Sequence, residues 1–191
     1  FFLLCAFLFV LVEQSFQTWT PTFYNQILKV PTSMGIQAGA VLAGTFALGR
    51  FLSGFFSRKY NWISIVSFCI VGFAVSIILV LPLTNNVKIQ EATTWFNAPL
   101  VVYLFPLMGI FLSPIYPSIN SVILASIPKY MHSSMSGLIV VFSAIGGTLG
   151  SMITGFIFQE FSGQRAFYLS LIPLSLLLVS AVAMSKIKIK N

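Results

Sequence analysis

Charge is what this sequence has least of. Only 7% of its 191 residues are Asp, Glu, Lys or Arg, while 58% are hydrophobic and the mean hydropathy is +0.98. Soluble domains carry about 25% charged residues, so this chain cannot cover itself with a hydrated surface. Acids are scarcest of all: Glu13, Glu91 and Glu160 are the three, beside a single histidine, His132. No Ser–His–acid set, phosphate-cradling glycine loop or metal-ligand cluster can be assembled from such a stock, so neither an enzyme nor a metal site is expected. The two cysteines, Cys5 and Cys69, lie inside apolar runs without metal-ligand spacing, which argues against a disulfide framework. The net charge of +7 is not gathered with aromatics on one solvated face, so nucleic acid is not an expected partner.

Long apolar runs fill the space that charge leaves. Several exceed the roughly 18 residues that mark a membrane-span candidate, and "IVSFCIVGFAVSIILVLPL" shows none of the short alternation of a transmembrane barrel. The expected class is an all-α, multi-pass integral membrane bundle occupying the whole of residues 1–191. Six spans are expected at about 1–27, 35–57, 62–83, 99–127, 135–161 and 166–185, joined by "KVPTS", "SRKYN", "TNNVKIQEATTWFNAP", "PKYMHSS" and "SGQR". Pro31 with Thr32 or Ser33 reads as the start of the second helix. The opening "FFLLCAFLFVLV" has no basic flank and no small-residue cleavage site, so a signal peptide is not expected there.

Lysines and arginines orient the spans. Arg50, Arg58, Lys59, Lys129, Lys186, Lys188 and Lys190 fall towards one face, and Lys29, Lys88 and Arg165 towards the other. The positive-inside rule makes the first face cytoplasmic. Both termini are then inside a cell (inner or plasma) membrane, with Glu91 and Glu160 outside, and Arg50 and Arg58 are expected to reach cytoplasmic phosphates.

An internal echo is also visible. An offset of 101 residues lays Ala43 on Ala144, Gly49 on Gly150, Gly54 on Gly155 and Phe55 on Phe156. Spans one to three and four to six then form a 3+3 inverted repeat, an arrangement in which polar, proline-interrupted helices flank a mid-membrane site. The glycines themselves read as packing, with spans two and five as the pair that slides.

The polar exceptions concentrate in "VLVEQSFQTWTPTFY", residues 10–24. Glu13 is a carboxylate within a hydrocarbon-like helix, a placement that costs about 2.5–3.5 kcal/mol on insertion scales and marks function or a buried partner. Desolvation favours the protonated form of a carboxyl, the property a proton carrier needs. Gln17, Thr20 and Tyr24 follow at steps of four, three and four, on one helical face, with Gln14 beside it. Their amides and hydroxyls both donate and accept, which suits a polyol. Trp19 either stacks on a sugar ring or sits in an interfacial belt. Tyr116 and Asn120, one turn apart in the fourth span, are expected to form the partner wall, with interhelical polar contact as their structural alternative, and Gln37, near the outer end of the second span, a third wall.

"GRFLSG" at Gly49–Gly54, "YPSINS" at Tyr116–Ser121, "GGTLG" with its following "TG" at Gly146–Gly155, and "SFQTWTPTFY" at Ser15–Tyr24 together resemble the C-terminal half of a major facilitator superfamily transporter. The nearest subfamily is the fucose–proton symporters. That resemblance implies one six-helix half of a twelve-helix transporter, rocking between two states around a solute, without cofactor and driven by a proton gradient. Its implied partners are a small-molecule solute, the lipid bilayer, and a missing N-terminal half or a second copy of the chain. "GFFSRKYNW" at Gly54–Trp62 is similar to the superfamily's cytoplasmic loop motif but lacks its acid, and Asn120 stands where a bulky apolar residue is usual. A drug exporter on the same fold, or a sensor or scaffold that transports nothing, remains open.

Overall fold

Six helices long and apolar enough to cross a bilayer make up the computed structural model, which describes residues 2–86 and 95–186. The spans are Phe2–Gln26, Thr32–Phe56, Trp62–Leu83, Leu100–Ala125, Lys129–Glu160 and Gly163–Lys186, and no strand occurs among the described residues. Lys88, Glu91, Lys188 and Lys190, used above to orient the chain, lie outside the described residues. A turn carrying Lys29 at φ 55° joins the first two spans. The second helix begins at Thr32 straight after Pro31, with no side-chain cap.

The fourth and sixth spans are interrupted; a proline-interrupted fourth span is as expected, a break in the sixth is not. The fourth runs as Leu100–Leu107, Gly109–Leu112 and Ile115–Ala125, the sixth as Gly163–Leu169 and Leu171–Lys186. Proline is the cause in both. Each ring removes the N–H that the carbonyl four residues earlier would accept, and crowds that turn. Pro106, Pro114 and Pro117 act in the fourth span, and Pro173 follows the break at Ser170 in the sixth. The first span absorbs Pro21 without breaking.

The first span is the axis of the bundle. It is apolar around most of its circumference, the pattern of a helix enclosed by others, and packs against the second, fourth, fifth and sixth spans. Phe9, Phe16 and Phe23, seven residues apart, are almost wholly buried. Phe16 meets Phe167 with ring centroids 4.5 Å apart, and Phe23 meets Phe105 at 4.8 Å. The third and sixth spans turn Phe68, Val71, Ile78, Leu79, Leu176 and Val179 outward, as lipid-facing helices do.

Glycines set the closest approaches. A Cβ at Gly150 would stand 2.2 Å from the Leu11 carbonyl oxygen, and one at Gly49 would stand 2.6 Å from that of Ile110. Hence the fifth span seats on the first, and the second on the fourth. This corrects the expectation that the glycines of spans two and five serve a contact between those two helices.

Candidate functional site

Two polar residues meet where the first two spans cross. Glu13 lies midway along its helix and is 5% exposed. Its Oε1 accepts a hydrogen bond from Arg50 Nη2 at 2.9 Å. Arg50 lies six residues before the end of its helix at Phe56, about 9 Å along the axis. Its side chain points back to Glu13 rather than onward to the helix end, so the expectation that it reaches phosphates does not describe this structure. Half of that side chain stays exposed.

Directly above the pair, a groove of about 390 Å³ opens between the two helices. Its lining is Gln17 and Arg50 on polar sides, Leu42 and Phe46 at the floor, and Gly39, Ala43 and Ala47 along the rim. Small residues on the second span leave the room. Ligand pockets run from about 300 to 1,000 Å³, so the groove suits a molecule of sugar size. Pro21 removes the hydrogen that the Gln17 carbonyl would otherwise accept, adding a backbone acceptor beside the exposed Gln17 amide.

The other predicted residues are placed differently. Tyr24 is fully buried, and its hydroxyl donates to the Val102 carbonyl at 2.6 Å. That carbonyl is the one Pro106 deprives of its helical partner, so Tyr24 closes a gap in the fourth span. Thr20 is also buried and bonds back to Phe16. Trp19 donates from Nε1 to the Ser151 carbonyl at 2.8 Å and stacks on Phe158, so it faces the fifth span. Gln14 packs against Gly147 of that same span. Gln37 sits near the other end of the second helix and accepts from Trp95 Nε1 at 2.5 Å.

Tyr116 stacks on Phe9 at 5.4 Å, and its hydroxyl lies 3.4 Å from Ser143 Oγ. Because Tyr24 pairs with Val102 and Phe9 with Tyr116, the first and fourth spans run antiparallel. That register sets Glu13 level with about Leu112, and Asn120 level with about Cys5. Asn120 is therefore about 12 Å along the axis from Glu13, half-buried, with its Oδ1 unpartnered. The structure thus gathers Glu13 and Gln17 with Arg50, and leaves Tyr116 and Asn120 apart from them, Tyr116 beside Ser143 of the fifth span.

Arg50 is the group that reading the sequence missed, and a signal for it existed. Glu13 precedes Val30 by 17 residues and Arg50 follows Thr32 by 18. Two antiparallel helices joined by a short turn bring such positions to one level.

These features define an all-helical, multi-pass membrane protein with an ion pair and a polar groove between its first two spans. No family model, no curated protein and no solved structure matches the chain.

Proposed function

We propose that the chain is the C-terminal six-helix half of a major facilitator-type secondary transporter, nearest the fucose–proton symporters, moving a small polar, sugar-like solute by proton symport. The observation that carries this reading is the half-exposed Arg50 beside the groove, well inside its span. A charged side chain facing lipid tails at such depth is expensive; those that occur face a water-filled cavity or another polar surface. A solute pathway provides that surface, with the N-terminal half or a second copy of the chain as its far wall.

Reciprocal contacts support the 3+3 inverted repeat. Gly49 abuts Ile110, and Gly150 abuts Leu11. Shifting by 101 residues turns Gly49 into Gly150 and Ile110 into position 9, two residues from Leu11. Thr45 bonding to the Pro106 carbonyl and Gly146 abutting Phe7 repeat the relation with the same two-residue slip. In such transporters inverted repeats of this kind are nested within each six-helix half, and the two six-helix halves rock against each other around the site.

In this reading Glu13 carries the proton, and Gln17 and Arg50 hold the solute. Tyr116 and Asn120 belong to a second wall that engages in the other transport state, while Gln14, Trp19, Tyr24 and Gln37 hold the wall and its outer mouth in place. Both termini are cytoplasmic in a cell membrane. The gradient supplies the work, and neither a cofactor nor a chemical reaction is involved.

Membrane vesicles carrying the protein test this with an inward proton gradient and a labelled set of sugars, polyols and sugar acids. At least one is expected to accumulate, to leak out when an uncoupler is added, and to lose accumulation in Glu13→Gln. Absence of any gradient-driven accumulation would sink the transport reading. A second reading, export of lipophilic compounds, is favoured by a larger groove of about 540 Å³ whose lining includes Leu52, Phe56, Phe68 and Phe111. It predicts extrusion of amphipathic dyes, with sugars and their acids untouched.

A further inference from the structure

We propose that the groove recognises the carboxylate of a small hydroxylated acid, such as a sugar acid, through Arg50, with Glu13 as the counterion that the carboxylate displaces. This rests on the transport reading and narrows it to one substrate class.

Arg50 is under-used as it stands. Guanidinium offers five donors in a planar fork, yet among the described residues its hydrogen bond is a single one, Nη2 to Glu13 Oε1. The fork is matched to a carboxylate, which accepts two parallel bonds from it. Half of the side chain borders an open groove whose small residues, Gly39, Ala43 and Ala47, leave room for such a group. Gln17 stands on the same groove, one helical turn beyond Glu13, and can both donate to and accept from hydroxyls.

Charge decides between a neutral and an acidic solute. The pair Glu13–Arg50 sums to zero. A neutral sugar leaves the pair intact and gives a proton no electrostatic reason to bind with it. A carboxylate that takes Arg50 leaves Glu13 without a counterion in a buried position, which is costly unless Glu13 gains a proton. Anion and proton therefore bind together, each raising the affinity for the other by the same factor. In that step the Nη2–Oε1 bond breaks, Glu13 takes a proton from the outer solution, and Arg50 donates to both carboxylate oxygens. Release inside reverses it: the acid leaves, Arg50 returns to Glu13, and the proton passes to the cytoplasm.

Among the described residues no other charge competes at this point. The second span brings Arg50 alone. The fourth brings Tyr116, against Phe9 one turn away, and Tyr103 near its other end. The fifth has Lys129, Tyr130 and His132 at one end and Glu160 at the other, and the sixth has Arg165 with Tyr168 near one end and Lys186 at the other. Glu13 and Arg50 answer to each other.

The test measures binding of gluconate and glucuronate against glucose and sorbitol to the full-length protein by thermal shift, and their uptake into proteoliposomes, between pH 5.5 and 8. Gluconate or glucuronate is expected to bind and accumulate, with affinity rising up to about tenfold per unit fall in pH where Glu13 titrates. Glu13→Gln should keep that binding and lose its pH dependence. Arg50→Gln should lose it; since that variant strands a buried carboxylate, the charge-free Glu13→Gln/Arg50→Gln protein repeats the measurement in a folded background. Binding of glucose or sorbitol without the acids overturns the inference and leaves transport standing. So does acid binding that survives in the folded double variant, or that ignores pH in the wild type. Failure of all four probes to bind or accumulate overturns the inference and the transport reading together.

Discussion

Glu13 Oε1 and Arg50 Nη2 lie 2.9 Å apart, the acid buried and the base half exposed. The asymmetry matters as much as the distance. Arg50 has somewhere else to go and Glu13 does not, so the pair is held by the carboxylate's need for a partner, and the arginine is the member free to serve another ligand.

The two substitutions should therefore be unequal. In Glu13→Gln, Arg50 turns to the open groove and the loss of stability is about 1 kcal/mol. In Arg50→Gln, a buried carboxylate loses its counter-charge and the loss is about 3 kcal/mol, within the range for broken buried pairs. Adding Glu13→Gln to Arg50→Gln should restore part of that loss. Unfolding in detergent, followed for the two single variants and the double, measures this; a double variant less stable than Arg50→Gln alone would mean that the ion pair is not what the second substitution repairs.

Tyr24→Phe isolates a different bond. Removing the hydroxyl leaves the buried Val102 carbonyl with no donor, because Pro106 has none to give. An unsatisfied buried acceptor costs about 1–3 kcal/mol, so the melting temperature should fall while solute affinity stays unchanged. A parallel loss of solute affinity would return Tyr24 to the binding wall.

Close packing makes a third expectation. Gly150→Ala places a methyl 2.2 Å from the Leu11 carbonyl oxygen, and that atom, being backbone, cannot step aside cheaply. The first and fifth spans must separate, at a cost of about 1–3 kcal/mol. Gly44→Ala, with nothing within 4 Å of the new methyl, should lose nothing, since alanine is the better helix former by about 1 kcal/mol. Comparing the two melting temperatures checks it, and an equal drop in both would remove the close contact as the cause.

What could be read from the sequence was whatever is local in the chain. The third span, expected at 62–83, is Trp62–Leu83, and the second, expected from residue 35, begins at Thr32. Apolar run length and polar, glycine- and proline-bearing joints carry that information without reference to neighbours. Glu13 drew notice for the same reason, as a lone acid in an apolar helix. The partners lay out of reach because they depend on which helices touch and at what register. Tyr24 shares a helical face with Glu13 and Gln17, yet the fourth span closes over its end of that face and leaves the other end open. Asn120 is expected on a wall facing Glu13, and the antiparallel register carries it towards Cys5 instead.

Water access along the first span supplies the most direct check on the groove. Both native cysteines are buried and free, so the background reaction with a membrane-impermeant thiol reagent should be small. Gln17→Cys and Ala43→Cys point into the groove and should be modified in intact membranes, at rates at least about tenfold above Thr20→Cys, which replaces a side chain with no exposed surface. Leu79→Cys supplies the opposite control: it is 64% exposed in the bundle but faces outward on the most apolar of the six spans, and lipid should shield it. Thiols also need to ionise before they react, which hydrocarbon prevents and water permits, so the reagent separates wet exposure from greasy exposure. If Gln17→Cys reacts no faster than Leu79→Cys, the groove is filled by lipid, and the half-exposed Arg50 beside it needs a protein partner in place of a solute.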